Sequence, residues 1–185
     1  YRSLGRLYRG IICPTLRQYV MLGDASSMTD NLTYDASLKT GEKTADKSPV
    51  FDDRWVFTEE NPGRELYVAA GLAAASRVLK KSNPQLSAEA LSTAVTLFNN
   101  AKPGERTAAN RVIALAELLL ATKEEQYSRA LVDLQAVIVA QIPRCGWALG
   151  RVMPMIKNQD FHKAVDAAVG EYEARLKKEQ EADSP

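Results

Sequence analysis

Between positions 52 and 60 the chain carries four carboxylates, one guanidinium and one indole: Asp52, Asp53, Arg54, Trp55, Glu59 and Glu60. Carboxylates and a guanidinium bond to hydroxyl groups, and an indole offers a flat apolar face with one N–H donor. Together these are groups that hold sugar rings. A carboxylate pair can also hydrolyse a glycosidic bond with inversion. One acid then protonates the leaving oxygen and the other activates water, at a separation of about 6.5–9.5 Å.

Each of these residues has a plainer role as well. Glu59 and Glu60 stand just before a helix start, where negative charge is stabilising anyway. Arg54 can pair with Asp52 or Asp53, and Trp55 can be a core indole. We therefore assign Asp53, Arg54, Trp55, Glu59 and Glu60 to substrate binding, and assign no catalytic residue.

The remaining polar groups say less. Asp24, Ser26, Ser27, Thr29, Asp30 and Asn31 could coordinate Ca²⁺, but their spacing is not that of an EF-hand loop, and Asx and Ser turns explain the same residues. His162 is the single histidine. It has no cysteine or second histidine near it in sequence, which leaves a surface or interhelical role. Cys13 and Cys145 could pair, or could be two buried thiols, the more frequent state of free cysteine. No phosphate-cradling glycine motif or C-x-x-C pattern occurs. No metal and no cofactor is expected.

These side chains need a scaffold, and the sequence describes one. Asn61-Pro62 and Asn83-Pro84 are helix starts, an N-cap followed by proline in the first turn. Leu66, Ala69, Ala70, Ala73, Ala74 and Val78 mark one helix face, and Leu86, Ala90, Leu91, Ala94, Val95 and Phe98 a second. Lys102-Pro103-Gly104 is a stop. A third helix turns Val112, Leu115, Ala116 and Leu119 inward and runs to about Thr122. A fourth begins near Glu125 and carries Tyr127, Leu131, Leu134, Val137 and Ile138, with Pro143 ending it. Trp147 to Val152 reads as a short helix, and the last helix shows Phe161, Val165, Ala168, Tyr172 and Leu176.

Gln85-Leu86-Ser87 and Gln126-Tyr127-Ser128 open helices at matching points, about forty residues apart. A repeat of this period means stacked helical hairpins, in a solenoid or a closed toroid. Upstream, residues 1–22 space Leu4, Leu7, Tyr8, Ile11 and Ile12 as on a helix face until Pro14 interrupts. Residues 23–62 show no sustained period and read as a long irregular loop, of the kind that often carries function. The predicted fold class is all-α, with antiparallel helical hairpins over 63–180 in a single segment spanning 1–185.

The helix A-E-L-L-L-A-T-K-E-E-Q-Y from Ala116 to Tyr127 resembles one of the type A-E-L-Y-x-A-T-G-D-x-x-Y in glycoside hydrolase family 9, the endoglucanase family. Ala116, Glu117, Leu118, Ala121, Thr122 and Tyr127 match. Leu119 stands where the family often has Tyr, and Lys123 where it has Gly. Asn61 to Lys80 is similar to the alanine-rich helix preceding it, and Asp52 to Arg64 to the carboxylate-rich loop entering that helix. The resemblance implies part of an (α/α)6 barrel, hydrolysis of β-1,4-glucan or a related plant polysaccharide, and a secreted, periplasmic or cell-surface location. The family's D-A-G-D base motif is not intact: Asp24-Ala25-Ser26-Ser27 lacks the glycine and the second carboxylate. Its late general-acid Glu segment does not occur in this sequence, so the resemblance is to the central part of the catalytic module.

Charge narrows the partners. Lys and Arg number 24 against 23 Asp and Glu, a net +1. No basic excess drives binding to nucleic acid or an anionic membrane, and the apolar runs are too short to span a bilayer. The chain begins at Tyr1 with no visible leader, which suggests a processed chain or a fragment. The expected partners are an oligo- or polysaccharide and either the rest of a parent enzyme or a second copy. The latter would cover an open helix face centred on Leu7 and Ile11 or on Phe161 and Val165. The alternative is a helical-repeat interaction module without catalysis, consistent with the repeated hairpins and near-neutral charge.

Overall fold

Two asparagines set the start of the helical region. Asn61 Oδ1 accepts from the backbone N–H of Arg64 and Asn83 Oδ1 from that of Leu86, both at 3.0 Å. Each satisfies a first-turn donor that the helix itself leaves unpaired, and the proline behind it lacks that donor altogether. In the computed structural model, which describes residues 7, 10–12, 26–28, 55–58 and 61–182, these caps open α1 (Pro62–Leu79) and α2 (Pro84–Asn100). A 3₁₀ turn at Glu105–Thr107 leads into α3 (Ala108–Thr122). Then follow α4 (Glu125–Asp133), α5 (Gln135–Ala140), α6 (Ile142–Leu149), a 3₁₀ turn at Met153–Met155, and α7 (Gln159–Ala182). Among the described residues from Asn61 onward there is no strand, as the Asn-Pro starts and helical periods predict.

The chain divides into two units, Tyr1–Glu60 and Asn61–Pro185. In the first, β1 (Gly10–Ile12), β2 (Ser26–Met28) and β3 (Trp55–Thr58) form an antiparallel sheet with β3 in the centre. Ile11 pairs with Val56, and Ser27 with Phe57. This corrects the helical reading of Ile11 and Ile12 and the reading of 23–62 as wholly irregular. A spacing of three and four over so few residues does not separate helix from strand. Ile-Ile and Trp-Val-Phe-Thr are β-branched and aromatic runs that fit a pleated surface. Their partners are far apart in sequence, so no local period reveals them.

In the second unit, α1 and α2 form an antiparallel hairpin. Ser87 Oγ–H at the start of α2 donates to Ser76 O near the end of α1 at 2.7 Å. At the other end, Leu66 and Ala70 of α1 pack with Ala101, just past α2. Helix α3 lies against both, and its Leu115, Leu118 and Leu119 are buried. Burial of each such side chain is worth about 1.5–3 kcal/mol. The same core holds Leu131, Ile138, Leu149, Val152 and Phe161 from the later elements.

The single long helix expected from Glu125 to Pro143 is two helices. The break falls at Leu134, whose φ of −91° and ψ of 13° leave the helical region. Pro143 sits in the first turn of α6, so it starts a helix instead of ending one. Proline does either, because its missing N–H is harmless only in a first turn. Trp147 lies within α6 and is 61% exposed.

Several predicted inward positions are buried, among them Leu66, Ala69, Ala73, Ala90, Ala94, Val112, Leu115, Leu131, Ile138, Phe161 and Val165. The open face expected at Phe161 and Val165 is therefore closed; Phe161 is fully buried. Val78 is instead exposed, at 80%, together with Tyr67 at 74%. Leu86 and Leu176 also face solvent. Helix α1 is apolar on nearly every side, so its alanine face satisfies the core and leaves the Tyr67–Val78 side over.

Lys123 closes α3 in the left-handed region at φ 64°, the one such non-glycine residue among those described. Its N–H bonds to Leu119 O at 2.9 Å, which caps the helix. A Cβ in this conformation costs about 1–2 kcal/mol. Lys123→Gly removes that strain at some entropic cost in the unfolded chain. It is expected to raise unfolding free energy by about 0.5–1 kcal/mol in a urea titration. A loss of stability would mean that the lysine side chain compensates for its backbone.

Candidate functional site

Glu117 is the one acid inside the apolar run of α3, and its side chain is only 6% exposed. A buried carboxylate needs partners. It has two: Oε2 accepts from Arg77 Nη2 of α1, and Oε1 from Arg151 Nη1 just beyond α6. The arginine side chains are 31% and 42% exposed, so the pair is buried on the glutamate side only. The Nε of Arg77 is buried and has no hydrogen-bond partner. Both oxygens of Glu117 are taken up by cations. That arrangement suits a structural tie between three elements and not a general acid, which must hold and release a proton.

Around this clamp the polar groups are structural too. Arg111 donates from Nη2 to Ala101 O at 2.5 Å and lies 4.8 Å over the Phe98 ring. It thereby ties the chain just past α2 to α3. Phe98 in turn meets Tyr127 edge-on at 6.3 Å between centroids. Burial, with a contribution from Glu124, pushes the Tyr127 phenol above its ordinary pKa. His162 Nε2 lies 2.7 Å from Ile156 O; because a carbonyl only accepts, that nitrogen carries the proton. The sequence leaves His162 a surface or interhelical role; this bond ties it to the loop just before its own helix. Among the described residues, no group of three or more His, Cys, Asp or Glu side chains could hold a metal ion, and no helix is long and apolar enough to cross a membrane.

An open groove of about 640 Å³ runs between the end of α3, one side of α4 and the turn at Met153–Met155. Leu119 and Ile156 are its buried floor. Lys123, Arg129 and Lys157 on the rim face Glu125 and Asp133. Arg129 and Glu125 pair at 3.4 Å. The mixed charge selects neither anions nor cations.

Of the predicted sugar-binding residues, only Trp55 is among those described. Trp55 begins β3, where its backbone pairs with Ile12. Asp53, Arg54, Glu59 and Glu60 lie outside the described residues, as do Asp52 and Cys13, and as do Asp24, Thr29, Asp30 and Asn31 of the polar cluster. Ser26 and Ser27 fall in β2. The Glu117 clamp was not singled out from sequence. Its signal was there: a lone acid interrupting the apolar stretch 112–121, with an arginine on a neighbouring alanine-rich helix.

Cys145 is a free thiol and fully buried. Its Sγ lies 3.2 Å from Gln141 O. Burial pushes its pKa above the ordinary thiol value, opposed by a backbone hydrogen bond and by the charge of Arg144. The folded pKa is thus above the unfolded one. Its stabilising contribution is complete below about pH 8.5 and declines as pH rises past the unfolded thiol value. Native protein should leave Cys145 unlabelled by iodoacetamide at pH 8, with full labelling in denaturant, as peptide mass spectrometry would resolve. Fast native labelling would contradict its burial.

Glu117→Ala leaves two guanidiniums without their carboxylate. Breaking a buried pair costs about 3–5 kcal/mol, and the partial exposure of both arginines places this case at the lower end. Arg151→Ala keeps the Arg77 pair and should cost about 1 kcal/mol. Equal losses in urea titrations of the two variants would mean that Glu117 is not the shared centre. The chain matches no protein-family model, no curated protein and no solved structure.

Proposed function

We propose that this chain supplies helices of an (α/α)6 barrel in a glycoside hydrolase acting on β-1,4-glucan or a related plant polysaccharide. Asp53, Arg54, Trp55, Glu59 and Glu60 are the residues proposed to line one wall of the sugar cleft. The observation that carries this reading is the end of α3. The A-E-L-L-L-A-T helix is the most enclosed element of its unit, and Lys123 closes it at φ 64°. Family 9 helices of this type have glycine at that position, and a left-handed residue is what such a glycine serves. The all-helical hairpins from Asn61 onward support the same reading.

A non-catalytic helical-repeat interaction module is the second reading. It draws on the exposed Tyr67 and Val78 of α1 and on a Glu117 committed to two arginines. The two separate in one experiment on the purified chain, combining calorimetry with cellohexaose and reducing-sugar release from a soluble β-glucan. The barrel reading expects binding near ~1 mM, weakened about tenfold in Trp55→Ala, a loss of about 1.4 kcal/mol. It expects no turnover, because inversion needs a placed acid and a placed base and Asp24-Ala25-Ser26-Ser27 supplies no second carboxylate. Turnover abolished by Asp53→Asn would make Asp53 catalytic and overturn its assignment to binding alone. Neither binding nor turnover would favour the interaction module.

A further inference from the structure

No further inference is drawn: the strongest candidate, the exposed apolar side of α1 carrying Tyr67, Gly71 and Val78, has nothing in the structure to show what covers it.

Discussion

The helical unit depends on one buried negative charge. Glu117 sits in the middle of α3, where every neighbour from Ala114 to Leu119 is buried. An unpaired carboxylate there would be driven to neutralise or to open the core. Arg77 and Arg151 remove that choice, and in doing so they fix where α1 and the chain past α6 lie against α3. An apolar side chain of similar volume would pack as well, and buried pairs often add little net stability. What the pair adds is register. Leucine against alanine can slide by a turn; a carboxylate between two forks cannot do so without exposing a charge to hydrocarbon.

Alanine on α1 is the complement of this arrangement. Ala69, Ala70 and Ala73 are almost without exposure, and Ala70 packs with Ala114 of α3. Small side chains permit close packing of helices, and Arg77 of α1 reaches Glu117 of α3. The Asn110 side chain bridges the opposite end of the same pair, donating to Gly63 O at 3.1 Å. So α1 and α3 are tied by one polar contact at their first turns and by another between the last turn of α1 and Glu117, with apolar packing between the two.

How much of this could be read from residues alone follows from how local each signal is. Asn61-Pro62 and Asn83-Pro84 are complete instructions within two residues, and both helices begin there. The end expected at about Thr122 is where α3 stops. Leu134 carries no such mark: the apolar period runs through it. Pro143 is ambiguous by nature, since it ends one helix as readily as it begins another. The clamp partners of Glu117 stand 40 and 34 residues away in sequence, beyond any local pattern. The β3 pairings are likewise non-local, and three- or four-residue strands are too short for alternation to register.

The residues proposed to hold a sugar and the first helix are contiguous in sequence at Asn61. Its side chain caps α1, and Glu60 is the residue directly before it. The first-turn N–H groups of a helix form a partial positive charge, which favours an ionised carboxylate nearby. An acid held ionised accepts hydrogen bonds from sugar hydroxyls well and donates protons badly. A general acid needs the reverse, a raised pKa in an apolar setting. In sequence Glu59 and Glu60 directly precede this cap, and a negative charge before a helix start is stabilising whether or not it meets a ligand, which is why neither is assigned a catalytic role.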